Sequence, residues 1–292
     1  MNEPNTTAVK KKNKFAEVWK RLCKNTGAVI GMVIILIFVL GAVFANLIRP
    51  YDLVIRQEAA IRLDPPSAEH WFGTDNLGRD TFTRMVYGAR VSLSISFAGV
   101  MSGCLVGVLL GVCAGFFGGW VDTLVSRLID ILLAFPSLLL AITVVAILGS
   151  GTENTAIAIA IFSIPSIARM VRGIVMSNKD AEYIQACRVM GASNARMIFT
   201  HIIPNAISQI IVNITLNLGT AILTASSLSF LGLGVQPPAP EWGAMLSTGR
   251  DVIRAYPLAV LIPGIAITLV VMSFSLVGDG LRDALDPKLK NS

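Results

Sequence analysis

Charge is scarce in this chain. Asp, Glu, Lys and Arg make up 14% of its 292 residues, against 54% hydrophobic residues. A soluble domain carries about a quarter of its residues charged, so a soluble enzyme is excluded. Disorder fails for the opposite reason, since it needs low hydrophobicity and high charge. Aromatic residues are only 7%, too few for a dense aromatic binding surface. The two histidines, His70 and His201, stand far apart, and the cysteines at 23, 104, 113 and 187 form no Cys-x-x-Cys pair. Neither a metal site nor a disulfide framework is read from them. No Gly is followed by Lys, so the chain has no phosphate-binding loop of its own, and Gly-x-Ser-x-Gly and His-Glu-x-x-His are missing as well. No catalytic residue is expected. The class left standing is an integral membrane protein.

What the chain does have is long uncharged runs. Residues 25–48, 91–121, 131–152, 197–240 and 255–278 contain no Asp, Glu, Lys or Arg. A spanning helix needs about 20 apolar residues, at about 1.5 Å per residue across a hydrocarbon core about 30 Å thick. A sixth run, 156–176, contains Pro165 and ends with Arg169 and Arg172, which are expected to snorkel to the headgroups. The predicted architecture is all-α with six transmembrane helices, at about 28–48, 91–116, 123–148, 154–175, 206–231 and 259–279. Around them lie a cytoplasmic segment 1–27, an extracytoplasmic loop 49–90, a five-helix core 91–281 and a tail 282–292.

Lys and Arg set the orientation. With the N-terminus inside, sixteen of the 24 basic residues fall on the cytoplasmic side, as the positive-inside rule requires. Both termini are then cytoplasmic. The exception is the loop 49–90, which carries six arginines and six acids. The net charge of +6 is therefore topogenic, and no basic face for nucleic acid is visible. The Lys10, Lys11, Lys12 run reads as a lipid-headgroup anchor. No cleavable signal peptide is expected, because the first apolar run is too long.

Three constellations carry information. Gly99, Gly103, Gly107, Gly111, Gly115 and Gly119 recur every four residues in the second span. They form one ridge that lets another helix approach closely, either as static packing or as a sliding seam. Gln209, Asn213, Asn217, Thr220, Thr224 and Ser227 share one face of the fifth span. Polar groups in lipid are costly, so this stripe is either interhelical glue or the lining of a translocation path. The segment 177–204 shows helical recurrence of Tyr183, Ala186, Cys187, Met190, Ala195, Ile198, Ile202 and Ile203, interrupted at Gly191. It reads as two short helices around a turn, either a handle for another subunit or a pair lying in the interface. Outside, Asp80 to Arg90 reads as a surface-lying helix, and 233–258, with three prolines and Trp242, as a rigid interface-anchored turn.

Gln185-Ala186-Cys187, Gly191 three residues on, then His201, Ile203 and Pro204 resemble the EAA motif of ABC importer permeases. The Ala, Gly and Pro stand at the family spacing, while Gln, Cys, His and Ile depart from it. The stretches 71–93 (WFGTDNLGRDTFTRMVYGARVSL), 114–122 (AGFFGGWVD), 228–246 (LSFLGLGVQPPAPEWGAML) and 278–289 (GDGLRDALDPKL) resemble the dipeptide/oligopeptide permease family, in its "C"-type membrane subunit. The segment 144–173 is most similar to the glutathione-importer branch. The resemblance implies the type I ABC importer fold and a bacterial inner-membrane location. It also implies a heterodimer with a second permease, two ATPase subunits that hold ATP and Mg, and an extracytoplasmic solute-binding protein. Membrane lipid completes the surroundings. No cofactor is expected on this chain. Glu182 to Arg188 would form the helix that docks on the ATPase, with Gln185, Ala186, Cys187, Gly191 and Pro204 at motif positions. A small peptide is the implied solute. The alternatives are a nickel complex or another small solute carried by the same family, or a self-contained secondary transporter. The near-absence of ionisable residues inside the spans counts against the last of these.

Overall fold

The computed structural model describes residues 14–285. Among the described residues the regular secondary structure is helical, apart from one isolated bridge between Thr74 and Asp80. The helices are α1 (Lys14–Leu22), α2 (Thr26–Val43), α3 (Ala45–Ile48), α4 (Asp52–Ile55), α5 (Thr81–Phe117), α6 (Gly119–Ala134), α7 (Ser137–Leu148), α8 (Thr152–Asn178), α9 (Glu182–Val189), α10 (Asn194–Met197), α11 (Ile203–Phe230), α12 (Trp242–Arg250) and α13 (Leu258–Leu285). The Lys10–Lys12 run lies outside the described residues.

Five of these helices are long and apolar enough to cross a membrane: α2, α5, α8, α11 (counted from Asn194) and α13. The first expected span is interrupted at Phe44, between α2 and α3. The second is longer than expected. Asp80 caps α5, its Oδ2 accepting the Thr83 N–H at 2.7 Å, and nothing breaks the helix before Gly118 at φ +66°. Thirty-seven residues reach about 55 Å, well beyond a hydrocarbon core of about 30 Å. Residues 81–90 are thus the first turns of α5 and not a separate surface helix.

The expected third span, 123–148, is not one straight helix. It is α6 and α7, bent by 95° at their junction. Pro136 lacks an N–H and forces Phe135 into an extended conformation (φ −91°, ψ 136°). The pair still returns the chain across the membrane, as α5 and α8 require. Gly99 faces Ile159, Gly107 faces Ile167 and Gly115 faces Val175. Both numbers rise together, so α5 and α8 run parallel, and the segment between them must travel back. Six crossings result.

The glycine ridge is the seam of that α5–α8 pair. A Cβ at Gly99, Gly103, Gly111 or Gly115 would stand 2.5–2.7 Å from its nearest atom on α8, and at Gly107 3.0 Å. The close approach persists from Gly99 to Gly115, roughly 24 Å, so the two helices are packed along most of their shared length. Gly119 is not part of it. It begins α6 at φ +54° and has no neighbour within 4 Å of a built Cβ.

Arg169 and Arg172, the two arginines expected to reach the headgroups, each also pair with a carboxylate on α6. Arg172 makes a two-pronged pair with Asp122 of α6, its Nη2 2.7 Å from Oδ2, and Arg169 Nη2 lies 2.6 Å from Asp130 Oδ1. The Arg172 pair is bidentate and partly buried, the stronger geometry, whereas the Arg169 contact is single and more than half exposed, where such a pair contributes little.

At the end of the bundle away from residues 177–204, residues 44–80 and 231–257 form a cap. The arginines of the loop do structural work there. Arg79 Nε pairs with Asp75 Oδ2 at 2.7 Å, Arg84 Nη1 donates to the Val54 carbonyl at 3.0 Å, and Arg90 donates to the carbonyls of Ala42 and Val43 at 2.8 and 3.1 Å. The last two carbonyls are those left open at the end of α2. Tyr256 Oη donates to the Phe72 carbonyl at 3.2 Å, and burial pushes its phenol above the ordinary pKa, so it stays a donor at neutral pH. Trp242 is not an interface anchor. It is fully buried, its indole N–H donating to the Met85 carbonyl at 3.1 Å. Glu241 is also fully buried. It caps α12 through the Ala244 N–H at 2.9 Å and accepts from Ser92 Oγ at 3.0 Å.

Candidate coupling segment and translocation face

The segment 177–204 folds as a helical hairpin. α9 ends at Gly191, whose φ of +78° is the left-handed conformation that glycine supplies at no steric cost. The Ala192 N–H donates to the Cys187 carbonyl at 3.0 Å, which closes the turn. Ser193 then caps α10 through the Arg196 N–H at 3.3 Å. A wide turn, Ile198–Ile202, leads into α11, with Pro204 in its first turn, where the missing N–H costs nothing.

Ile184, Met197 and Ile202 root the hairpin; each is at most 1% exposed, in one cluster with Val171 and Val175 of α8 and Ala206 of α11. The sequence reading had placed Tyr183, Ala186, Met190 and Ala195 on the apolar face, but these are exposed, while Ile184 and Met197 are the anchors it missed. The period was right and the phase was off by about one residue, because α9 is too short to fix its phase from sequence. Glu182, Gln185, Ala186 and Arg188 are exposed and Cys187 is half-buried. At the tip, Val189 and Met190 are 89% and 77% exposed. Two large apolar side chains thus stand in the open at the end of a rooted hairpin, where a lone chain gains nothing from them. The hairpin is also tied to its base. Asn205 Nδ2 donates to Tyr183 Oη at 3.1 Å, and Cys187 Sγ lies 3.5 Å from His201 Nε2. Cys187 and His201, two of the departures from the motif, thus touch each other.

The six polar residues of α11 lie on one face, as their spacing predicted. Gln209 and Thr220 are exposed, Asn213, Asn217 and Ser227 half-buried, and Thr224 buried. Their hydrogen bonds stay within the helix. Asn217 Nδ2 donates to Asn213 Oδ1 at 2.7 Å, Thr224 Oγ1 to the Thr220 carbonyl at 2.9 Å, and Ser227 Oγ to the Leu223 carbonyl at 2.7 Å. Among the described residues none reaches another helix, so the stripe does not glue this chain's own helices together. Ile222, about 180° around the helix from Asn213 at roughly 100° per residue, is 1% exposed and packs with Ala42, Met85 and Ala266. The core therefore lies behind the polar face.

Comparison with known proteins gives a consistent picture. Residues 107–291 match the family described as binding-protein-dependent transport system inner membrane component, and residues 13–66 match the N-terminal transmembrane domain of oligopeptide transport permease C. The dipeptide transport system permease protein DppC of Alkalihalophilus pseudofirmus is 51% identical over 95% of this chain and 91% of its own length. The glutathione transport system permease protein GsiD of Salmonella typhimurium is 48% identical over 94% of this chain and 91% of its own. Among solved structures, the inward-facing MetNI methionine ABC transporter matches 70% of this chain and 97% of the matched one, with a TM-score of 0.57 at 19% identity. At that identity the likeness speaks for the fold, which is that of a type I ABC importer permease.

Proposed function

The chain belongs to the binding-protein-dependent inner-membrane transport components, as a multi-pass ABC permease subunit, and from that premise we propose that it moves small peptides into the cytoplasm. The solute class follows the relatives, one a dipeptide and one a glutathione permease. The pore is shared with a second permease, ATP and Mg are held and hydrolysed by two partner ATPase subunits, and a solute-binding protein delivers the peptide from outside. Both termini face the cytoplasm.

The observation that carries the coupling role is the exposed Val189–Met190 tip on a hairpin rooted in α8 and α11. Movement of an ATPase against the tip is transmitted through Ile184, Met197 and Ile202 to two spans at once, which suits a switch between two packed states. Glu182, Gln185, Ala186 and Arg188 surround the tip and meet the same partner. Cys187, Gly191 and Pro204 shape the hairpin. The polar face from Gln209 to Ser227 lines the path, offering amides and hydroxyls to a zwitterionic peptide without holding it tightly.

Two experiments test this. With the four native cysteines replaced, Val189→Cys in the assembled complex should crosslink to an ATPase subunit, while Ile147→Cys, exposed at the far end of α7, should not. No ATPase adduct from Val189→Cys contradicts the docking. In the same background, Asn213→Cys, Asn217→Cys and Thr220→Cys should react with a membrane-impermeant polar thiol reagent and Ile222→Cys should resist it. Equal protection of both faces sinks the path assignment.

A further inference from the structure

An open apolar groove of about 770 Å³ runs along the outer half of the molecule, walled by Ile37, Phe44 and Ile48 on one side and by Phe72, Met85 and Ile265 on the others. Its α2–α3 wall, from Ile37 to Ile48, extends roughly 16 Å, about half of a hydrocarbon core of ~30 Å. It is therefore one leaflet deep. Next in the chain to Ile48 of that wall is Arg49, half-buried, its guanidinium 5.3 Å from the ring centre of Trp71, itself the neighbour of lining residue Phe72, and its Nη2 donating to the Glu69 carbonyl at 3.1 Å. Among the described residues no carboxylate lies in salt-bridge range of Arg49. Trp71 is 54% exposed, as an aromatic ring at headgroup level should be.

We propose that this groove binds one phospholipid of the outer leaflet, its acyl chain in the groove and its phosphate on Arg49. The charge is complementary, because a guanidinium without a carboxylate partner at the mouth of an apolar slot suits an anionic head on an apolar tail. The location favours lipid over the second permease. Met85 and Ala266 at the floor pack with Ile222, on the side of α11 opposite the polar stripe. This step rests on the reading of that stripe as the pore face, which the second permease must share; the groove then looks away from the partner.

The test is native mass spectrometry of the complex released from membranes of phosphatidylethanolamine and phosphatidylglycerol, after a delipidating detergent wash. The wild-type chain should retain one phospholipid. Gly41→Phe should expel it, since the groove lies beside Gly41 and a Cβ there meets nothing within 4 Å; Ile265→Trp is a second filling variant should the first fail to fold. Arg49→Gln should lower retention roughly tenfold, the loss of a charged hydrogen bond, whereas Arg56→Gln, on an exposed arginine paired with Glu58, should leave it unchanged. The proposal is overturned by no retained lipid, by retention unaffected in the filling variants, or by crosslinking of Ile37→Cys to the second permease. Retention is read without transport and none of these variants touches α9 or the polar face, so failure here is distinguishable from failure of the coupling.

Discussion

At Gly111 a built Cβ stands 2.6 Å from the Ala168 carbonyl oxygen, yet at Gly173, also within a helix, it meets nothing within 4 Å. The two positions should answer oppositely to the same change. Gly111→Ala forces α5 from α8 and should cost about 1–3 kcal/mol. Gly173→Ala only removes backbone freedom from the unfolded chain and should gain about 0.5–1 kcal/mol. Thermal unfolding in detergent compares them, and equal melting temperatures would contradict the packing seam. The spacing of four made five of the six ridge glycines legible. Gly119 was misassigned because periodicity does not see the positive φ of Gly118 that ends the helix one residue earlier. Glu241 lies inside the segment 233–258, whose sequence suggests only a turn, and its burial depends on Ser92, 149 residues away. Glu241→Ala removes a helix cap and strands a buried serine, and should cost about 1–3 kcal/mol.

Helices were more legible than their breaks. Charge-free runs located five crossings, and the run 156–176, which carries two arginines, the sixth; lipid admits no unpaired backbone and leaves helix as the solution. The bend at Pro136 escaped because a proline inside a span is common, and Pro165 and Pro263 sit inside unbroken α8 and α13. The ion pairs that fasten α6 to α8 escaped for another reason: Asp122 and Arg172 are fifty residues apart. Their side chains are 20% and 30% exposed, between the surface and buried cases. Asp122→Asn should therefore destabilise by about 1–3 kcal/mol, and the swap Asp122→Arg with Arg172→Asp should recover part of it. A swap no better than the single change would mean that the pair does not hold α6 in place.

On the scale of the whole molecule, the fold places the hairpin at one end of α8 and α11, the cap of residues 44–80 and 231–257 at the other, and a polar face between them. The basic residues set the expected orientation, although Arg79, Arg84 and Arg90 serve packing and capping rather than topology. One chain shows only an exposed apolar tip and a polar face turned from its core, so sequence alone reached the proposed partners through resemblance. Shortening the tip by Val189→Ala together with Met190→Ala should uncouple transport without unfolding the bundle, because neither side chain lies in the core. ATP hydrolysis by the complex should then lose its stimulation by peptide-loaded binding protein while the melting temperature holds.

Peptide accumulation in proteoliposomes that contain this chain with its second permease and ATPase subunits addresses the central claim most directly. Labelled dipeptide and glutathione would be presented with the binding protein on the opposite side from ATP. Accumulation that requires ATP, the binding protein and an intact Val189–Met190 tip is the predicted result. Uptake by this chain alone, driven by an ion gradient and indifferent to ATP, would contradict it.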